Sequence, residues 1–312
     1  MPSGVEHSSN VSAFFNTLVA AASEASAALV GQTQLVDAVY KDYQPVTLAP
    51  YNTLQIPLPD QAPLSDIGSN DFTPVDISAQ MVSLTFQNHP GIAYVVRDFD
   101  QYRSAESIRT LFLDATFKRA IEYLNGQIAN LITTANFNAY APIASTGGSA
   151  NLAIADYAKA WGNLAAGKIP VQDSGQMRLA VHPDVYANLL TNPAWVQESM
   201  VGRLIADPAR RDAWLGQQFG AHVVWDQQMP KTGGTTPGYT ALYFHQYAIA
   251  LGLRHLPEPD GRVVEYTTVF VKGIPMRVMV GYNQVKAGYI CSVDFGFALG
   301  CVRPSFGQIL TM

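Results

Sequence analysis

Residues 104–133 read SAESIRTLFLDATFKRAIEYLNGQIANLIT. Ser104 is a residue that caps helix N-termini, Glu106 follows in the first turn, and apolar residues recur at 108, 111, 112, 115, 120, 124, 128, 131 and 132. No proline interrupts this stretch before Pro142. The pattern predicts one helix from about 104 to 135, roughly 45 Å long at 1.5 Å rise per residue. A compact chain of this length has a radius of gyration of about 20 Å, so such a helix would cross almost the whole subunit. A flat, elongated molecule built along one strut is the expectation.

On the N-terminal side of the strut the sequence is extended. Prolines at 45, 50, 57, 59, 63 and 74 fall within or beside alternating stretches such as VTLAPYNTLQIPLP, which begins at Val46. Proline has no N–H for a central strand, so this region reads as an edge hairpin or an extended excursion. The following MVSLTFQNHPGIAYVVRDFD alternates through Val82, Leu84 and Phe86, turns at His89-Pro90-Gly91, and resumes with Ile92, Tyr94 and Val96. It reads as a second hairpin. Further upstream, Phe14, Leu18, Ala22, Ala25 and Leu29 share one helical face. No Lys or Arg precedes Lys41, and Asn16 and Glu24 interrupt the apolar run, so a signal peptide is not expected.

On the C-terminal side, the linker-like APIASTGGSAN from Ala141 gives way to alternating helices and strands. A helix is expected around Asp156 to Ala166, a strand at MRLAVH, and a helix with Pro183 in its first turn. A helical stretch from about Trp195 to Leu215, the strand AHVVWD and the apolar YTALYFHQYAIALGL complete an α/β or α+β unit. RVVEYTTVFV and IPMRVMVGYN then form a hairpin through Lys272-Gly273, with Ile274, Met276, Val278, Val280 and Tyr282 on one face. No internal repeat is present.

Composition narrows the function. Hydrophobic residues make up 48% of the 312 residues and charged residues 14%, well below the roughly 25% usual for globular chains. Much of the surface is therefore expected to make contacts. The net charge of −5, without any run of Lys and Arg, argues against a dedicated nucleic-acid binder. Cys291 and Cys301 are too few for a disulfide framework and fit a reducing compartment.

The motifs that suggest chemistry lack their companions. Asp294-Phe295-Gly296 spells the magnesium-binding tripeptide of protein kinases, but the only Arg-Asp pairs are Arg97-Asp98 and Arg211-Asp212, and neither sits in a catalytic-loop motif. GNLAAGK, Gly162 to Lys168, has the skeleton of a phosphate loop. Ile169 stands where a magnesium-binding hydroxyl is needed, however, and Pro170 where a helix should begin. Tyr157, Ala160, Trp161 and Leu164 are spaced as a helix, which makes Gly167 its cap and Lys168 a cation at its negative end. No histidines stand at metal-ligand spacing; His182 precedes a proline and His245 lies in an apolar run. No catalytic, cofactor-binding or metal-binding residue is assigned, and a non-enzymatic, structural role is expected. A nucleotide-binding enzyme using GNLAAGK is the rival from another class.

The order of parts carries a resemblance. An N-terminal arm, an extended proline-rich hairpin, one long helix, an α/β unit, a returning hairpin and closing strands resemble the major capsid protein of tailed bacteriophages, the HK97-like capsid fold shared with encapsulins. LAVHPDVYANLLTNPAW, GQQFGAHVVWDQQMP, YTALYFHQYAIALGLRHLP and YICSVDFGFALGCVRPSFGQIL are each similar to elements of that family, over about Tyr40 to Leu310. The resemblance implies an α+β chain divided into an arm (1–44), an extended loop (45–80), a peripheral domain with the spine helix (81–149 and 246–283) and an axial domain (150–245 and 284–312). It implies a subunit that self-assembles, as hexamers and pentamers, into the icosahedral shell around a double-stranded DNA genome, formed in the host cytoplasm. An encapsulin-type compartment is the alternative within the fold. Implied partners are a separate scaffolding protein, a portal protein, decoration proteins and weakly held DNA, with no membrane and no cofactor. The scaffold is expected to be separate because only about 40 residues precede the loop. Some members weld their shells through a lysine on the extended loop. This chain has no lysine between Lys41 and Lys118, so a shell without that cross-link is expected.

Overall fold

The computed structural model describes residues 34–47, 53–58, 80–86, 88–97, 114–148, 150–173, 175–196, 215–218, 220–231, 238–259 and 265–312. The expected helix at Phe14–Leu29, the loop between 59 and 79, the start of the strut and most of the stretch from Trp195 to Leu215 lie outside them. The described residues form an α+β structure in which strands outnumber helices.

The C-terminal hairpin follows from its turn. β11 (Glu265–Val271) and β12 (Ile274–Asn283) pair antiparallel, closing at Val271 and Ile274. Lys272 and Gly273 between them have φ of 54° and 79°, the two left-handed positions of a type I′ turn. Ile274, Met276, Val278 and Val280 are buried on one face as their alternation predicts, whereas Tyr282 is exposed beyond the core. A tight return through Gln284–Lys286 then sends the chain straight back as β13 (Gly288–Asp294), against β12. β4 (Gly91–Arg97) adds to its far side, giving the order β11-β12-β13-β4.

The expected pairing within residues 81–100 is corrected. β3 (Gln80–Thr85) and β4 lie in different sheets: β3 pairs with β2 (Thr53–Leu58), and β4 with β13. The link between them crosses the sheet made by the chain's end, where Asn88 accepts from the N–H of Phe297 and Pro90 from that of Phe295. Pro90 has no N–H to close a tight turn, and those long-range bonds replace the local ones.

β13 passes through Phe295 directly into β14 (Gly296–Cys301), which belongs to another sheet. There β10 (Ile249–His255) lies between β14 and β1 (Tyr40–Thr47), in the order β1-β10-β14. β1 is an edge strand, and Pro45 falls in its register shift between Tyr43 and Thr47, which is where a proline can be accommodated. Residues 284–312 contribute strands to three sheets. Of that block, only β15 (Gly307–Thr311) enters the six-stranded sheet β5-β15-β9-β6-β8-β7, formed with β5 (Ile143–Ala144), β6 (Met177–Val181), β7 (Gln217–Gln218), β8 (Ala221–Trp225) and β9 (Thr240–His245).

Five α-helices among the described residues position these sheets: α1 (Gln34–Ala38), α2 (Asp114–Asn130), α3 (Ile154–Ala166), α4 (Pro183–Thr191) and the short α5 (Pro193–Val196). α2 lies on the predicted strut and buries Phe117, Ala120, Ile121, Leu124 and Ile128, a helical stripe, against the inner face of the four-stranded sheet. It stops at Asn130, not at about 135. The Asn136 amide donates to the Leu131 carbonyl, and the Thr133 hydroxyl accepts the Asn136 N–H, so side chains take over groups a further turn would need. α3 and α4 cover the other face of the six-stranded sheet, where Tyr157, Trp195 and Tyr243 pack ring to ring at 5.7 and 4.9 Å around Leu164, Leu179 and Leu189. Each such fully buried leucine contributes about 1.5–3 kcal/mol relative to exposure.

Gly162–Lys168 is not a phosphate loop: it forms the last turns and cap of α3. The N–H groups of Lys168 and Ile169 donate to the carbonyls of Ala165 and Leu164 at 3.0 and 3.1 Å, a Schellman cap. Gly167 is the cap residue, but the left-handed position is Lys168, with φ of 59°. Gly167 leaves room for a neighbour: a Cβ there would lie 1.9 Å from the Tyr140 hydroxyl, so a larger residue would displace that ring. Lys168→Gly is therefore expected to raise stability by about 0.5–1 kcal/mol, read as a higher denaturant midpoint. A loss would contradict the cap.

Candidate assembly surface

The clearest specialised surface is the seat of the β2–β3 ribbon. Leu54, Leu84 and Phe86 point from the ribbon onto Ala250, Ala298 and Val302 of the β10–β14 sheet. The two central positions of that seat are glycines. A Cβ on Gly300 would stand 2.5 Å from Leu84 Cδ2, and one on Gly252 would stand 2.9 Å from Leu54 Cδ2 and 3.3 Å from the Phe86 ring. The Arg254 guanidinium covers Phe86 at 5.5 Å and is tied to Asp42 by a 3.4 Å ion pair. The small residues of β10 and β14 thus form a socket into which the ribbon's large side chains fit. On the ribbon's other face Met81 is exposed.

A second fastening holds the strand that leads out of the ribbon. The Arg277 guanidinium grips both oxygens of Asp294, Nε to Oδ1 at 2.9 Å and Nη2 to Oδ2 at 2.5 Å, and His89 Nε2 lies 3.0 Å from Oδ2. Arg277 Nη1 also donates to the Pro257 carbonyl. Asp294 is the aspartate of the kinase-like tripeptide, and its lone pairs are engaged by protein. Phe295 and Phe297 after it are buried and stacked at 5.8 Å. The partners could not be read from spacing, since His89 is 205 residues away. Among the described residues, no three His, Cys, Asp or Glu side chains gather as metal ligands would. No described helix is long and apolar enough to cross a membrane.

His182 and His245 are caps. Nδ1 of His182 accepts the Asp184 N–H at 3.2 Å, and Nδ1 of His245 accepts the Tyr247 N–H at 3.3 Å. Each ring must be unprotonated at Nδ1 to do so. Burial lowers both pKa values below the ordinary 6.5. Asp226 works in the opposite sense, its carboxyl raised above 3.8 by burial. The histidine contribution is complete above pH 6.5 and is lost as pH falls through the depressed folded values. That of Asp226 is present in acid and is lost as pH rises above 3.8. The melting temperature is therefore expected to be level just above pH 6.5 and to fall below it. A variant with His182→Asn and His245→Asn, which caps without titrating, should flatten that fall; an unchanged slope would contradict the assignment.

The thiols are inert by the same physics, burial raising Cys291 to about 12 and Cys301 to about 11. The outer face of the four-stranded sheet mixes apolar residues with Tyr266, Thr268 and Ser292. Ala93, Ile290, Met279 and Phe270 lie on it, with the Arg277–Asp294 pair in their midst. Beside the sheet, Ile92, Ala120, Tyr123 and Phe295 line a cleft of about 260 Å³.

The overall fold recurs in solved structures. The chain matches one described as "Mycobacterium phage Che8" with a TM-score of 0.59 at 16% identity, covering 89% of this chain and 91% of that one. It matches "Capsid structure of the Cyanophage P-SCSP1u" with a TM-score of 0.59 at 13% identity, over 89% and 88%. It also matches "Capsid of empty GTA particle computed with C5 symmetry" with a TM-score of 0.56 at 10% identity, over 90% and 89%. This is the HK97-like capsid fold. No family model matches the sequence, and no curated protein does. Within this fold, the socket and the fastening at Asp294 hold the β2–β3 ribbon and the segment that leads out of it against the neighbouring sheets.

Proposed function

We propose that the chain is the shell subunit of a tailed phage or of a GTA-type particle, assembling with copies of itself into a closed icosahedral container for double-stranded DNA. The observation that carries this is the match over about nine-tenths of the chain to solved capsid structures. The molecule's own surface agrees. A low charge fraction and exposed Met81, Phe270 and Val285 suit a subunit surrounded by neighbours.

In this reading residues 1–44 are an arm and 45–80 an extended loop reaching a neighbouring subunit. Residues 81–149 and 246–283 form the peripheral domain, now together with β13. Residues 150–245 and the closing β15 form the axial domain around the five- and six-fold positions. Function resides in interface geometry and calls for no cofactor. A scaffolding protein, a portal protein and decoration proteins are the partners such a shell calls for. The test is expression with the neighbouring genes, followed by sedimentation and negative-stain microscopy. Closed angular particles are expected; a chain that remains a monomer under those conditions would overturn the proposal.

A further inference from the structure

Five described arginines have placed side chains, and three of them are neutralised by a carboxylate: Arg119 by Glu122, Arg254 by Asp42 and Arg277 by Asp294. Arg178 and Arg303 have no carboxylate partner among the described residues. Nη1 of Arg178 is held in place by the carbonyls of Gly175 and Met177 at 2.8 and 3.0 Å, and Arg303 lies over the Phe306 ring at 4.8 Å.

The topology brings both to one end of the six-stranded sheet. β6 and β8 are parallel, so Arg178 at the start of one stands beside His222 at the start of the other. β9 runs back along β6 and ends with His245 opposite Met177, while β15 begins opposite Phe244. Phe306, which carries Arg303, meets the His245 ring edge-on at 5.5 Å. His245 itself is buried; its Nδ1 is used by Tyr247, and its Nε2 has no partner among the described residues. Burial lowers the His245 pKa; exposed Asp173 raises it, and Arg303 and Arg178 lower it further. His222 is lowered by burial and then by Arg178. Among the described residues, cations therefore outnumber Asp173, the one anion bearing on this corner, in a chain whose net charge is −5.

We propose that this sheet end, with Arg178 and Arg303 as its charges and half-buried His222 as a hydrogen-bonding neighbour, is a contact site for the phosphate backbone of double-stranded DNA. Exposed Tyr247 beside it offers a ring face at the rim. The choice of DNA rests on the shell reading above. The site's contacts are charge and donors without base readout, so binding is sequence-independent and salt-sensitive.

The experiment measures binding of the purified chain to a fluorescent 20-base-pair duplex by anisotropy across a salt series. It compares the wild type with Arg303→Gln, with Arg178→Gln plus Arg303→Gln, and with a charge-matched control, Lys118→Gln plus Lys286→Gln. Melting curves run alongside establish that each variant is folded. The log–log salt slope of the double variant is expected to be shallower by about 1.8 and that of Arg303→Gln by about 0.9, as for two and one lost phosphate contacts. The control should keep the wild-type slope. Slopes that fall equally in the control, a wild type that does not bind the duplex, or binding displaced by polyglutamate but not by excess duplex would each overturn the site. Because this readout needs no particle, a failure to form shells tells against the shell reading and not against the site.

Discussion

Asp294→Ala is expected to cost about 3–5 kcal/mol of folding stability, the range for breaking a buried ion pair by removing one partner. The carboxylate accepts both arms of Arg277 and the ring of His89. Without it the guanidinium is left in a site where its side chain is 13% exposed, with the Pro257 carbonyl as its one remaining partner among the described residues. Asp294→Asn should cost less, because an amide oxygen still accepts one arm. Magnesium should leave the stability of wild type and variants unchanged, since the carboxylate's neighbours are cations and not fellow ligands. Urea denaturation of the three proteins checks the order; a loss below about 1 kcal/mol in the alanine variant, the size of an exposed pair, would contradict the fastening.

Gly252→Val combined with Gly300→Val is expected to leave a folded subunit that does not assemble. Both side chains would enter the volume held by Leu54, Leu84 and Phe86. A single alanine can be met by rotation of Leu84, but two branched side chains cannot, and such overpacking costs about 1–3 kcal/mol. That penalty falls on the ribbon's docking, so the loop that must reach a neighbour is mis-aimed while the main cores remain. Adding Leu84→Ala and Leu54→Ala should restore part of the seating. Circular dichroism and sedimentation read the two halves of this outcome: native secondary structure with monomers or small oligomers in place of shells. Normal shells from the glycine variants would show that the socket does not orient the loop.

These results would turn on features that differ in how far the sequence shows them. The Lys272-Gly273 hairpin, the stripe on the strut and the Pro183 start of α4 are local, and spacing alone reads them. The strut's end is local too, yet hydrophobic periodicity runs on past Asn130 through Leu131 and Ile132. What stops it is a side chain, Asn136, bonding backward to the Leu131 carbonyl. Strand partnership is not local at all. Val82, Leu84 and Phe86 alternate as well as Ile92, Tyr94 and Val96 do, but their partners lie at 53–58 and 288–294. Nothing in their own pattern says so. The tripeptide at Asp294 shows both cases: the alternation of Phe295 and Phe297 marks a buried strand, while the role of the aspartate depends on Arg277 and His89, brought in by the fold. The socket glycines become meaningful only when the ribbon is seen resting on them.

The central claim is that this fold acts as a shell subunit, and cryo-electron microscopy of the particles formed on expression with the neighbouring genes tests it most directly. The account predicts closed shells with five-fold vertices, in which each subunit carries the β2–β3 ribbon seated on Gly252 and Gly300. Open aggregates, or particles whose subunits do not share this strand order, would contradict it.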